Sequence, residues 1–189
     1  PGVCSYTVGV MEAHIQTSNS YGAAALSRAI VLIVPGLFIT FTPGHTGQFG
    51  LVALGVTGLV LAAVQGGLAW GVLGDHPARG FYFFQALVSL VIGALALGLN
   101  SYGIGLLLWA VVVWALLMGA SEILAGLRLP KRDVLRRDWV TQGTLTVLFA
   151  LVVLTQSADR VAVVGFFGAW AIVMGVYLVI AAITHHSMN

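Results

Sequence analysis

Six apolar segments follow one another along this chain of 189 residues, and each is roughly 20 residues long and almost free of charge. A helix needs roughly 20 predominantly apolar residues to cross the hydrocarbon core of a bilayer. The segments are Gly22–Phe41, Gln48–Val72, Arg79–Leu99, Tyr102–Leu127, Trp139–Gln156 and Arg160–Ile183. They predict an all-α integral membrane protein with six transmembrane helices in one membrane domain, residues 22–183. An N-terminal tail, residues 1–21, and a C-terminal tail, residues 184–189, flank that domain.

Composition excludes a water-soluble globular protein. Charged residues make up 7% of the chain and hydrophobic residues 59%, whereas soluble domains carry about 25% charged residues. The single Cys4 permits no disulfide within the chain. The first ten residues lack the basic region and the leading Met of a secretory signal, and residues 1–20 are expected to form a weakly structured polar tail.

Short and long connections alternate between the segments. The tight turns TPGHTG, NS and SAD alternate with the longer links LGDHPA and RLPKRDVLRRD, which predicts three helical hairpins in series. Seven of the eight basic residues fall on the side of the termini and the longer links, and only Arg160 falls on the other. Because positive residues stay on the cytoplasmic side, both termini are predicted to be cytoplasmic.

The sequence repeats itself. WALLMG at Trp114–Gly119 returns as WAIVMG at Trp170–Gly175. A spacing of about 57 residues links polar positions in the same way: Arg28 to Gln85 and Gln142, and Gln65 to Glu122. Fixed-period similarity indicates tandem copies of one unit. Since each unit has two spans, the three copies are predicted to be parallel, related by an axis near the membrane normal.

Small residues within the repeated motif are candidates for close helix packing. Helices in lipid associate where small side chains let their backbones approach. The candidates are Ala115, Gly119, Ala171 and Gly175. They are interpreted as contacts inside the bundle, with a dimerisation face as the alternative. Trp114 and Trp170 lie near mid-span and are expected to pack against neighbouring helices.

Glu122 is the clearest ionisable residue within a predicted span. It lies six residues before Arg128, hence roughly 9 Å into the span, where an ionised group costs on the order of 3 kcal/mol. The sequence predicts that Glu122 pairs with Arg28 or Arg79 inside the bundle. The amides of Gln65, Gln85 and Gln142 are expected to bond between helices in the same cytoplasmic half.

Proton exchange by Glu122 is the functional alternative. It would need a continuous polar path across the membrane. The outer side supplies chiefly His45, Asn100, Asp159 and Arg160, so a structural ion pair is the favoured interpretation.

The basic loop between the fourth and fifth segments has two interpretations. It carries Arg128, Lys131, Arg132, Arg136 and Arg137. Such a loop beside a membrane contacts anionic lipid headgroups and sets orientation, which is favoured over docking of a cytoplasmic partner. Five of the eight basic residues of the chain lie in this short loop beside the membrane, so no nucleic-acid binding is predicted.

No motif for catalysis, cofactor binding or a metal centre is found in the sequence. It contains no Ser–His–Asp spacing, P-loop or glycine-rich nucleotide motif. His185 and His186 are neighbours and do not face one site on a helix, and His45 and His76 fall on opposite sides of the membrane. The chain is therefore predicted to be non-enzymatic.

Four segments resemble the HdeD-like acid-resistance membrane proteins: SRAIVLIVPGLFITFTP, ALGVTGLVLAAV, WALLMGASEILAGLR and WAIVMGVYLVIAA. The resemblance covers about residues 22–183. It implies six spans in three hairpin repeats and a bacterial inner membrane location. The family's association with survival at acid pH is phenotypic and supplies no catalytic residues.

Two function classes follow. One is a non-enzymatic stress or acid-resistance membrane protein, acting alone or as a homo-oligomer. The other is an accessory structural subunit of a larger membrane complex. A transporter is less favoured, because the spans carry few polar groups for a substrate path.

Overall fold

The computed structural model describes the backbone of residues 2–71, 78–129, 134–156 and 159–187. Side chains are described for residues 22–71, 78–129, 136–156, 159 and 161–184. These parts of the chain form six helices: α1 (Gly2–Phe41), α2 (Gly47–Gly71), α3 (Arg79–Gly98), α4 (Ile104–Arg128), α5 (Val134–Thr155) and α6 (Arg160–Ser187). Each contains a stretch long and apolar enough to cross a membrane. The predicted all-α architecture with six spanning helices is confirmed.

Helix ends differ from the prediction because a helix can continue after its apolar stretch has ended. Helix α1 begins at Gly2, so the expectation of a weakly structured segment at residues 1–20 is wrong. Residues 2–21 contain no proline, and extending an existing helix adds one hydrogen bond per residue. Helix α5 likewise begins at Val134 rather than Trp139, and α6 continues to Ser187.

A short 3₁₀ turn, Asn100–Tyr102, separates α3 from α4. Gly103 follows it with φ of 78°, a left-handed conformation that favours glycine, so α4 begins at Ile104 rather than Tyr102. The side chain of Asn100 donates to the carbonyl of Leu97 at 2.6 Å and accepts from Gln48 Nε2 at 3.3 Å. These bonds tie the start of α2 to the end of α3.

The most extensive helix contacts join α1 with α6, α2 with α3, and α4 with α5. The helices connected by the tight turns, α1 with α2, α3 with α4 and α5 with α6, pack less extensively. The predicted hairpins are therefore not the closest pairs. A tight turn makes two helices neighbours, but in lipid the small residues on their faces determine how closely they pack.

Glycines allow the close approach in all three extensive pairs. A Cβ added to Gly36, Gly93 or Gly143 would lie 3.0, 3.0 or 2.5 Å from a carbonyl oxygen of the facing helix. Those carbonyls belong to Gly168, Gly55 and Gly119, in that order. A side chain at any of the three positions would push two backbones apart.

Aromatic side chains from α4, α5 and α6 fill the middle of the bundle. Trp114 is 2% exposed and meets Trp170 edge-on, with ring centroids 5.2 Å apart. Trp170 also stacks on Phe149 at 5.0 Å and on Phe167 at 6.2 Å. Both tryptophans therefore pack against neighbouring helices.

Candidate functional site

Five buried polar residues form one layer across the bundle. Each lies six residues from the end of its span: Arg28, Gln65, Gln85, Glu122 and Gln142. Six residues of helix measure roughly 9 Å, so these side chains share one depth. This set is called the polar layer below.

The centre of the polar layer is an ion pair between α1 and α4. Arg28 Nη2 donates to Glu122 Oε1 at 2.6 Å, and the two side chains are only 7% and 3% exposed. The guanidinium carbon of Arg28 also lies 5.9 Å from the ring centroid of Tyr82 on α3. Because α1 packs mainly against α6 and α2, the pair reaches across the interior.

A chain of neutral hydrogen bonds joins α2, α3 and α4 in the same layer. Gln65 Nε2 donates to Gln85 Oε1 at 3.1 Å, and Gln85 Nε2 donates to Ser121 Oγ at 2.9 Å. The hydroxyl of Ser121 in turn donates to the carbonyl of Met118 at 2.7 Å. Of the three glutamines predicted to bond between helices, Gln65 and Gln85 therefore bond to each other. The third, Gln142, is 2% exposed on α5.

Arg79, the other arginine considered for Glu122, is the first residue of α3. Its guanidinium carbon lies 5.6 Å from the ring centroid of Phe83 on the same helix. The structure thus places Arg28 beside Glu122 and Arg79 at the end of a span.

Sequence reasoning missed three further members of this interior. Tyr82 is 2% exposed and lies between Arg28 and the edge of Trp139, whose ring centroid is 5.5 Å away. Ser89 accepts from Trp114 Nε1 at 3.2 Å, and Ser121 accepts from Gln85. Ser89 could have been identified from helical spacing, because it lies four residues after Gln85 and therefore on the same face of α3.

A small cavity lies beside the ion pair. It measures about 10 Å³, and its lining includes Arg28, Glu122, Trp114 and Trp170. That is about the volume one water molecule needs. The lining residues include Glu122 and Trp170, whose buried atoms Oε2 and Nε1 have no hydrogen-bond partner among the described residues. The first can only accept if ionised and the second can only donate, so the lining residues carry both an acceptor and a donor.

The small residues of the repeated motif face other helices of the same bundle. Ala115 and Ala171 are fully buried. A Cβ on Gly119 would lie 2.7 Å from the carbonyl oxygen of Gly143 on α5, and one on Gly175 would lie 3.1 Å from that of Ala29 on α1. These positions hold α4 against α5 and α6 against α1.

The basic residues divide between helix ends and the undescribed link. Arg128 is the last residue of α4, with its guanidinium carbon 5.0 Å from the ring centroid of Phe81 on α3. Arg136 Nη1 donates to the carbonyl of Leu129 at 3.3 Å, and Arg137 is exposed on α5. Lys131 and Arg132 lie outside the described residues.

Metal-binding groups of three or more His, Cys, Asp or Glu residues are absent from the described part of the chain. The ring of His45 contacts the carbonyl of Ile39 at 2.9 Å. His76 and the side chains of His185 and His186 lie outside the described residues.

Comparison with protein-family models, with curated proteins and with solved structures finds no match to this chain.

Replacing Gln85 with leucine is expected to destabilise the bundle by about 1–2 kcal/mol, because buried donors and acceptors lose their partners. The amide nitrogen of Gln65 and the hydroxyl of Ser121 would both lose Gln85. Thermal unfolding in a mild detergent measures the effect. The double variant Gln65→Leu/Gln85→Leu is the control: it should lose less than the sum of the two single variants, and a loss equal to that sum or larger would contradict a stabilising bond between the amides.

Proposed function

We propose that this chain is a non-enzymatic multi-pass protein of a bacterial inner membrane, of the HdeD-like stress and acid-resistance type. In this proposal both termini are cytoplasmic and the chain acts alone or as a homo-oligomer. Its three two-helix units are tandem parallel copies, and anionic lipid headgroups contact the basic loop. The resemblance of the four quoted segments supports the family. The uneven distribution of arginine and lysine supports the orientation.

Matching contacts in different units support the proposal that the chain contains tandem copies of one two-helix unit. Gly36 and Gly93 lie 57 residues apart, and a Cβ on either would meet a glycine carbonyl at 3.0 Å. The facing glycines, Gly168 and Gly55, occupy corresponding positions of the last and first units. Three tandem units around one axis would produce this equivalence.

The observation that carries the non-enzymatic proposal is the small size of the polar interior. Ligand and substrate pockets usually measure about 300–1,000 Å³, whereas the cavity beside Arg28 and Glu122 measures about 10 Å³. Arg28 and Glu122, which line the cavity, bond to each other between α1 and α4. This favours a structural ion pair over a transport or proton site.

Survival of bacteria in strongly acid medium tests the proposal. Cells that express the chain are expected to survive better than cells carrying an empty vector, as measured by colony counts after acid exposure. The variant Arg28→Met/Glu122→Leu replaces the pair with apolar groups and should protect as well as the wild-type chain. Equal survival with and without the chain would contradict the acid-resistance role. Loss of protection in the folded double variant would instead point to proton handling by Glu122.

An accessory subunit is the second candidate, and an open apolar groove between α1 and α2 favours it. The groove measures about 440 Å³ and is walled by Ile30, Val34, Phe38, Val52, Val56 and Val60. A helix of a larger complex would find an uncharged surface there. Native purification in mild detergent separates the candidates: unrelated chains in fixed stoichiometry support the subunit, whereas a monomer or homo-oligomer supports the first proposal.

A further inference from the structure

A second groove, between α3 and α4, has a different character. It measures about 460 Å³ and opens at the side of the bundle. Its walls are Phe81 and Phe84 on α3 and Leu117 and Leu124 on α4. The small exposed residues Gly80 and Ala120 leave room between those walls. Within a membrane this apolar space is open to the lipid.

A cationic group lies at one end of this groove. Arg128 is exposed, ends helix α4 and is part of the groove lining. Its guanidinium lies 5.0 Å from the ring centroid of Phe81, a geometry that holds a cation over an aromatic face. Arg136 lies at the same end of α4, where it donates to the carbonyl of Leu129 at 3.3 Å. The groove therefore combines an apolar body with a positive end.

The groove between α1 and α2 lacks this combination. The lining of the α1–α2 groove contains no charged residue. Between α5 and α6, Tyr177 donates to Asp138 at 3.4 Å, so an acid stands 57 residues after Phe81. In the α3–α4 groove, Arg128 would attract an anionic headgroup.

We propose that the α3–α4 groove binds one anionic phospholipid of the bilayer. The phosphate accepts hydrogen bonds from the guanidinium of Arg128, which presents a planar set of donors suited to phosphate. One acyl chain lies between the two phenylalanines and the two leucines. The assignment rests on the proposed contact of anionic lipids with the basic loop and deepens it, because charge and shape place one lipid in a defined groove between α3 and α4.

Native mass spectrometry of the full chain in mild detergent tests the site. The protein is titrated with phosphatidylglycerol and, separately, with phosphatidylethanolamine of the same acyl chains. Wild type is expected to retain phosphatidylglycerol more tightly. Arg128→Gln should lower the affinity for phosphatidylglycerol by about fivefold, which is the contribution of one cation near a membrane surface. Ala120→Trp should lower the affinity for both lipids, because the tryptophan side chain fills the groove without changing the charge of the protein.

Arg137→Gln is the matched control, because it removes the same charge from an exposed residue of α5 outside the groove lining. Because Arg137 belongs to the same basic loop, this variant should still weaken phosphatidylglycerol binding, but by clearly less than the fivefold expected for Arg128→Gln. Equal losses in Arg128→Gln and Arg137→Gln would overturn the site in favour of diffuse attraction. Unchanged binding in Ala120→Trp and in Leu124→Trp would exclude the groove as the acyl site. Residues 120 and 124 are both exposed, so either substitution avoids the core, and thermal unfolding verifies that each variant is folded.

Discussion

Glu122→Gln is expected to destabilise the folded bundle by about 3 kcal/mol, the lower end of the loss when one partner of a buried ion pair is removed. Glutamine has the shape of glutamate and can still accept a hydrogen bond from Arg28. It cannot balance the charge of a guanidinium that is only 7% exposed. Thermal or denaturant unfolding in detergent measures the change. Unchanged stability would contradict a structural role for the pair.

Two arginines provide the matched control for this effect. Arg28→Gln removes a buried charge beside Glu122, whereas Arg137→Gln removes an exposed one. The first should destabilise the protein as Glu122→Gln does, and the second should change stability by less than about 1 kcal/mol, as exposed charges do. Equal effects of the two substitutions would mean that net charge, rather than the buried pair, controls stability.

Gly143→Ala is expected to cost about 1–3 kcal/mol, the usual penalty for overpacking a filled interface. The added Cβ would lie 2.5 Å from the carbonyl oxygen of Gly119 and 2.8 Å from the amide nitrogen of Ile123. Both are backbone atoms of α4, so they cannot move aside as a side-chain tip can. Helices α4 and α5 would have to separate, and thermal unfolding of the purified variant measures the loss.

Gly105→Ala is the control for Gly143→Ala. Gly105 also lies within a helix, but an added Cβ there has no neighbour within 4 Å. Alanine is favoured over glycine by up to about 1 kcal/mol in a helix interior and by less in the first turn, where Gly105 lies, so this variant should be at least as stable as wild type. A similar loss of stability in both variants would contradict the close approach of α4 and α5.

The six spans could be predicted from the sequence because their length follows directly from membrane thickness. The helix ends could not, since hydropathy reports where the apolar stretch stops, whereas α5 begins at Val134. The sequence also does not reveal which helices pack most closely against each other. Turn lengths reveal sequence neighbours, but the contact of α6 with α1 depends on glycines far apart in the chain, such as Gly36 and Gly168.

The candidate site was predictable in part. The depth of Glu122 and Arg28 follows from their positions in the spans, and the cost of an isolated charge in a membrane demands a partner. Selecting Arg28 over Arg79 required the rotation of α1 about its axis, which no sequence pattern reports. The roles of Tyr82 and Ser89 depend on neighbours from other helices, and so does the groove ending at Arg128.

A double-mutant cycle on Arg28 and Glu122 tests most directly whether the polar layer is structural. The cycle compares the unfolding free energies of wild type, Arg28→Met, Glu122→Leu and the double variant. Each single substitution leaves one buried charge alone and should cost about 3–5 kcal/mol, whereas the double variant should lie close to wild type. A double variant whose loss equals the sum of the two single losses would show that Arg28 and Glu122 do not stabilise each other, and would contradict the structural account.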